Sequence, residues 1–117
     1  MKREAAATEE WRRFTGRLHY AKVSLRAEPA STFELLSEPS AWIDDNWKQE
    51  FEPYVLEGVV SELLQHPGTP VLGIRVFITA TTIDEVASNG NSFYMAAKAA
   101  TERLLQGPAG EHRGNCE

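Results

Sequence analysis

Alternating apolar and polar residues predict two clear strands. In residues 17–26, RLHYAKVSLR, the apolar side chains of Ala21, Val23 and Leu25 fall on one side of an extended chain. In residues 71–79, VLGIRVFIT, every second residue from 72 to 78 is leucine, isoleucine or valine, and this is the clearest strand of the sequence. Residues 32–36, TFELL, are compatible with a shorter strand. Residues 81–85 are compatible with a loop, or with the end of a hairpin that leads into a short strand at residues 85–87.

Two further segments have the apolar spacing of amphipathic helices. The first runs from Trp47 to Leu64, and we expect its continuous part to begin near Pro53, because a proline inside a helix removes a hydrogen bond. Gly58 costs about 1 kcal/mol relative to alanine inside a helix. We expect the close approach of another backbone at this position to compensate for that cost. The second helix is predicted from Phe93 to about residue 106. Residues 5–14 are compatible with a short helix.

Length and composition are those of one globular domain. The chain has 117 residues, of which 42% are hydrophobic and 25% charged, which is enough for a single core. We place the domain at residues 11–106, between a mobile segment at 1–10 and a mobile tail at 107–117, because both ends lack apolar periodicity. A single cysteine, Cys116, excludes a disulfide framework, and the three histidines are too far apart for a metal site. No metal or cofactor is expected.

Charge and hydropathy narrow the location and the partners. No segment approaches the ~20 apolar residues that span a bilayer, and the N-terminal residues MKREAAATEEWRRF carry charges where a signal peptide would be apolar. We therefore expect a cytoplasmic protein with no membrane contact. The net charge is −5, but residues 11–26 hold five basic and no acidic residues, whereas residues 28–62 hold nine acidic residues and one lysine. Such asymmetry is typical of a basic binding strip beside an acidic flank.

Four segments, in this order and spacing, resemble domain IV of elongation factor G. They are a glycine loop leading into a strand (TGRLHYAKVSLRAEP), a helix with a proline near its start and a glycine beyond (EFEPYVLEGVVSELL), a valine-rich strand (GTPVLGIRVFITAT), and a Val-x-Ser-x-x-x-x-Phe-x-x-Ala-Ala helix (EVASNGNSFYMAAKAA). The resemblance covers residues 12 to 105. It implies an α/β (α+β) two-layer sandwich, with a mixed sheet of about four strands, two helices on one face and a left-handed β-α-β crossover.

The same resemblance frames the expected function. No Gly-x-x-x-x-Gly-Lys-Ser/Thr phosphate loop is present, and no catalytic constellation is recognised, so neither GTPase activity nor another enzymatic activity is expected. In that family two loops form the tip of the domain. They correspond here to RRFTGRL, before the first strand, and to the loop with Thr82, Asp84 and Glu85, after the central strand. The two acidic residues of the second loop would repel the phosphates of RNA. The resemblance predicts a stand-alone, ribosome- or RNA-associated module without GTPase activity. The alternative is a module that kept the fold and binds a protein partner or itself.

Three candidate sites follow. One is a basic strip with aromatic neighbours, suited to RNA contact, or else a solvated edge strand: Arg12, Arg13, Arg17 and Lys22. The second is an acidic loop between tryptophans, suited to a protein interface, or else packed structurally: Trp42, Asp44, Asp45 and Trp47. The third is the helix start in residues 88–102, where Ser88, Asn89 or Asn91 can cap the helix, or else an anion can bind.

Overall fold

The computed structural model describes residues 5–65 and 73–116, with side chains described as far as residue 106. Within these residues four strands and two helices follow one another along the chain. They are β1 (Ala5–Phe14), β2 (Leu18–Pro29), β3 (Glu34–Ser37), α1 (Asp45–Gln65), β4 (Ile74–Thr82) and α2 (Gly90–Cys116).

The strands form one mixed sheet in the order β1-β2-β4-β3. β1 pairs with β2, and β2 with β4, in antiparallel fashion, whereas β3 and β4 are parallel and are connected through α1. The predicted mixed sheet of four strands with two helices is therefore confirmed. The left-handed sense of the β3-α1-β4 crossover stays a prediction of the resemblance.

One face of the sheet and the apolar stripes of both helices share a single core. The strand faces predicted from the alternation are confirmed, since Ala21, Val23 and Leu25 of β2 are buried, as are the inward residues of β4. Helix α2 packs on β1 and β2, and α1 packs on α2. The core is completed by the helical residues Phe51, Val55, Val59, Leu63, Phe93, Ala96, Ala97, Ala100 and Leu104.

The two helices approach each other most closely at Gly58. A Cβ added there would collide with the carbonyl oxygen of Tyr94 and would lie 3.0 Å from the Cβ of Ala97. The predicted close backbone approach at this glycine is confirmed.

The N-terminal segment departs from the prediction. Residues 5–14 form a strand rather than a short helix, and all ten are paired in register with β2, from Ala5 opposite Ala27 to Phe14 opposite Leu18. Residues 5–10, expected to be part of a mobile end, therefore belong to the sheet. Local helix preference is overridden because Ala5, Ala7 and Trp11 face the core and pack against it.

Three further element bounds also differ. α1 begins at Asp45, eight residues before Pro53, because the Asp44 carboxylate accepts a hydrogen bond from the Trp47 backbone N–H at 2.9 Å and caps the helix. α2 does not end near residue 106 but continues to Cys116. Residues 85–87 form a turn and not a short strand. Residues 71 and 72 of the strand predicted at residues 71–79 lie outside the described residues.

Candidate functional site

Three connections meet at one end of the sheet, which we call the loop end. They are the β1–β2 turn (residues 15–17), the β3–α1 connection (38–44) and the β4–α2 connection (83–89). They meet because β1 ends where the antiparallel β2 begins, and because the parallel strands β3 and β4 both finish at this end. Both helices start there. The two tip loops named from the resemblance are thus neighbours in the fold.

His19 links two of these connections. Its Nε2 lies 2.9 Å from the Thr15 hydroxyl, and its Nδ1 lies 2.9 Å from the Asn89 side-chain nitrogen. The Asn89 carbonyl oxygen accepts hydrogen bonds from the Ser92 backbone N–H at 2.8 Å and from the Ser92 hydroxyl, which fixes the orientation of the amide. Because the amide nitrogen can only donate, Nδ1 of His19 is the acceptor in this contact.

The start of α2 is capped by Asn89, one of the three predicted candidates. Its side-chain oxygen satisfies the Ser92 backbone N–H, three residues along, as an N-cap residue does. Ser88 instead ties the loop to β2, because its hydroxyl donates to the Tyr20 carbonyl at 2.8 Å and accepts from the Asp84 backbone N–H at 2.9 Å. Capping therefore accounts for Asn89, and the attachment of the loop to β2 accounts for Ser88.

The acidic loop after β4 uses one of its carboxylates internally. Asp84 Oδ1 accepts hydrogen bonds from the backbone N–H groups of Val86, at 2.9 Å, and Ala87, at 3.0 Å. Thr82 closes β4 in register with Lys22. The side chain of Glu85 is exposed, and its carboxylate has no hydrogen-bond partner among the described contacts. Val86, the next residue, is 87% exposed.

The basic strip is divided between two environments. On the open face of the sheet, Glu10 lies between Arg12, at 3.3 Å, and its register partner Lys22. The guanidinium of Arg12 also lies 5.1 Å from the centre of the Tyr20 ring. A hydrogen bond from Tyr20 is the main cause of a lowered pKa at Glu10, and Arg12 lowers that pKa further. Arg12 and Lys22 are thus partly neutralised by their own strands.

The β1–β2 hairpin carries the rest of the strip. Arg13 and Arg17 are exposed, and neither is paired with a carboxylate among the described residues. Between them Phe14 is 73% exposed. The chain turns through Gly16, whose φ of +85° is a conformation that favours glycine. Trp11, predicted to accompany the strip, packs partly buried against the core instead.

The predicted tryptophan surface is reduced by burial. Trp42 is only 8% exposed; its ring lies 5.7 Å from that of Phe93 and its Nε1 donates to the Ser37 hydroxyl at 3.0 Å. Trp47 is half-buried and stacks on Phe51 with 5.5 Å between ring centres. Asp44 caps α1, and Asp45 is exposed in its first turn. Trp42 is therefore a core residue and cannot form an exposed interface.

A small groove at the loop end brings together residues of the predicted tryptophan surface and of the predicted tip loop. Ile43, Trp47 and Ile83 supply its apolar lining, and its volume is about 230 Å³. Its polar lining comes from Thr81, Thr82 and Glu85. Ile43 is 83% exposed, and it was not among the predicted site residues. Its position between Trp42 and two aspartates could have indicated an exposed apolar residue.

Comparison with known proteins identifies the fold. No family model and no curated protein matches the chain. Among solved structures 59 chains match, so the arrangement is a recurring one. One of them is the crystal structure of ttk003000868 from Thermus thermophilus, with a TM-score of 0.75, 25% sequence identity and 88% of this chain covered. The matched region is 16% of that protein's chain, so the fold forms one part of a larger molecule there.

Two structural findings restrict the chemistry of the described residues. No helix among them is long and apolar enough to cross a bilayer. Within the same residues no three histidine, cysteine, aspartate or glutamate side chains come together as a metal ion would require. The loop end carries the exposed side chains of Phe14, Ile43 and Val86, together with Arg13 and Arg17.

Proposed function

We propose that the chain is a module similar to domain IV of elongation factor G, without GTPase activity, that contacts ribosomal or other RNA in the cytoplasm through its β1–β2 hairpin. The four sequence segments that resemble that domain support the first part, together with a sheet of four strands and two helices of the kind that the resemblance implies. The second part rests on one observation, which is that Phe14 is 73% exposed between the two exposed arginines Arg13 and Arg17.

The hairpin has the chemistry that RNA contact requires. Guanidinium groups bind phosphates, and an exposed aromatic ring offers a stacking platform for an unpaired base. Arg13 and Arg17 have no carboxylate partner among the described residues, so contact with phosphate would not break an existing ion pair there. The neighbouring acidic loop with Asp84 and Glu85 opposes such contact, so the proposal confines it to the hairpin.

Binding of fluorescently labelled single-stranded RNA, followed by anisotropy across a salt series, tests the proposal, with co-sedimentation of ribosomes as a second assay. The double variant R13A/R17A should weaken binding and reduce the slope of log K against log salt by about 1.4, because two phosphate contacts are lost at about 0.7 each. F14A should weaken binding roughly 5- to 100-fold through lost stacking. Lys48→Ala, which removes a positive charge of α1 that is not paired with a carboxylate among the described residues, is the matched control for R17A alone.

No association at low salt, or an affinity that does not change with salt, would refute RNA contact. Equal effects of K48A and R17A would show that any binding is non-specific attraction to positive charge. Loss of ribosome binding in F14A with free RNA binding retained would point to a protein contact on the ribosome.

A second candidate function, binding of a protein partner, is favoured by the groove at the loop end. Ile43, which lines this groove, is 83% exposed, and an apolar side chain so exposed at a groove is typical of protein interfaces. The variant I43D should abolish capture of such a partner in a pull-down, whereas F14A should leave it intact. A wild-type protein that captures nothing under conditions where it is folded would count against this candidate.

A further inference from the structure

The edge of the sheet formed by β1 is long and lacks a strand partner among the described residues. β1 has ten residues and pairs on one side only, with β2, whereas the opposite edge strand, β3, has four. An unpaired strand presents free backbone N–H and C=O groups, and proteins usually shorten, cover or charge such an edge. β1 contains no proline, so all of its outward backbone groups can pair with another strand.

The charges of β1 have an unusual order. Residues 9–13 read Glu-Glu-Trp-Arg-Arg, which is two acids and two bases arranged symmetrically about Trp11. An antiparallel pair of identical strands brings the first half of this sequence opposite the second half. The charges are therefore complementary to those of another copy of the same strand.

Geometry limits how two copies can pair. In an antiparallel ladder, the side chains of two residues directly opposite each other point to the same face of the sheet. Along each strand the side chains alternate between the two faces, and the backbone N–H and C=O groups alternate between the two edges. Odd-numbered residues of β1 must then face odd-numbered residues, so the two-fold axis passes through a residue and not between two residues.

Only one axis within residues 9–13 avoids repulsion. An axis at Glu9 or Glu10 sets two carboxylates opposite each other, and an axis at Arg12 or Arg13 sets two guanidinium groups opposite each other. An axis at Trp11 instead places Glu10 opposite Arg12 of the second copy, and Glu9 opposite Arg13 of the second copy. By symmetry this gives four opposite-charge pairs, of the kind that stabilise cross-strand contacts.

We propose that two copies of this chain associate through β1, antiparallel about a two-fold axis at Trp11, to form a continuous eight-stranded sheet. Trp11 lies half-buried against the core beside α2, so pairing with its symmetry mate covers its remaining apolar surface. Thr8 and Phe14 of the two copies lie opposite each other at the ends of the seven-residue ladder. This inference is argued from different observations than the proposed RNA contact, and it competes with that contact because the ladder would occupy Arg13 and Phe14.

The existing contacts of the charged residues are compatible with this pairing. Glu9 faces α2, where its carboxylate is bonded to Arg103 at 2.5 Å, and Glu10 faces the open side, where it pairs with Arg12. A carboxylate has two oxygens and can accept a second guanidinium. Arg13 gains most, because it has no carboxylate partner among the described residues of its own copy and acquires Glu9 of the second copy.

Sedimentation equilibrium over a range of protein concentration tests the association, with charge reversal as the specific probe. The variants E9R/E10R and R12E/R13E should each be monomeric, because every opposite-charge pair becomes a like-charge pair. Mixed in equal amounts, they should form a dimer at least as readily as the wild type, since all four pairs are restored. Circular dichroism of each variant alone establishes that it is folded.

Three results would overturn the proposal. They are a wild-type protein that stays monomeric at millimolar concentration, charge-reversed variants that dimerise as well as the wild type, and a mixture that fails to recover dimer. The second of these would place the interface elsewhere, and the groove at Ile43 is the surface to examine next.

Site-directed cross-linking tests the register independently, in a C116S background and with a short bis-maleimide. Trp11→Cys should cross-link readily, because the two introduced thiols face each other on the axis. Thr8→Cys is the matched control: its two copies are separated by six residues of strand, roughly 20 Å at ~3.3 Å per residue, and should stay uncross-linked. Equal or greater cross-linking at position 8 would contradict the register.

Discussion

Asn89 donates a hydrogen bond to His19 across 2.9 Å and so joins the start of α2 to the start of β2, 70 residues earlier in the chain. The same amide caps α2 through its oxygen. Because the other nitrogen of His19 contacts Thr15, the hairpin that carries Phe14 is held against the helix start by one imidazole. The position of the proposed RNA-binding hairpin therefore depends on this contact.

The first prediction concerns the coupling between these two residues. N89A should lower the free energy of unfolding by about 1–2 kcal/mol, since it removes a cap, and H19A by about 1 kcal/mol. The double variant should lose less than the sum, by roughly 0.5–1 kcal/mol, because both changes remove the shared bond. Urea denaturation measures all three. N91A, exposed in the first turn of α2, should change stability by less than about 0.5 kcal/mol, and strict additivity would refute the coupling.

These two residues also show how far the sequence could be interpreted. A cap depends on groups three residues apart, so Asn89 could be proposed from the sequence alone, together with two alternatives. The bond to His19 depends on tertiary structure, and no local pattern indicates it. In the same way, Trp42 and Trp47 looked equivalent in sequence, and only the packing of Trp42 on Phe93 separates a core residue from one at the groove.

The second prediction concerns the start of α1. Asp44→Ala should lower the free energy of unfolding by about 1 kcal/mol, because the Trp47 backbone N–H loses its acceptor. Asp45→Ala is the matched control, since it removes the same charge one residue later without removing the cap and should cost roughly half as much or less. If the two variants were equally destabilised, the helix dipole rather than the cap would explain the effect.

The third prediction concerns the contact between the helices. Gly58→Ala raises helix propensity by about 1 kcal/mol, but the new methyl group meets the carbonyl oxygen of Tyr94, a backbone atom that cannot rotate away. We expect a net loss of about 1–3 kcal/mol in thermal or urea unfolding, as for other overpacked cores. Glu57→Ala, on the preceding exposed position, should stay within about 0.5 kcal/mol. A G58A protein more stable than the wild type would mean that α1 and α2 move apart at little cost to make room for the methyl group.

The N-terminal strand was the element least visible in the sequence. Residues 5–7 are alanines, the residue with the highest helix propensity, and the segment lies beside charged residues that suggest a solvated end. Its strand state results from pairing with β2 over ten residues and from the contact of Trp11 with the core. By contrast, β2 and β4 were predictable because their core-facing residues alternate without interruption.

The fourth prediction concerns the pH dependence that Glu10 introduces. A hydrogen bond from Tyr20, with a smaller effect of Arg12, lowers the pKa of Glu10 in the folded protein. A carboxyl whose pKa is lowered by folding stabilises the fold above its unfolded pKa of about 4.3, and this contribution is lost as the pH falls through the folded value. E10Q should therefore be less stable than the wild type at pH 7, and the difference should shrink towards zero as the pH falls through the lowered pKa of Glu10.

Tyr20→Phe supplies the control for this prediction. It removes the hydroxyl that lowers the Glu10 pKa, so E10Q added to Y20F should have a smaller effect than E10Q alone. The pKa of Tyr20 is itself raised, first by burial and then by its bond to Glu10, so ultraviolet titration of E10Q should show a tyrosine that ionises at lower pH than in the wild type. Both measurements belong at low protein concentration, because association through β1 would engage Glu10 as well. A difference between E10Q and wild type that persists unchanged at about pH 2 would assign the effect of Glu10 to packing and not to its charge.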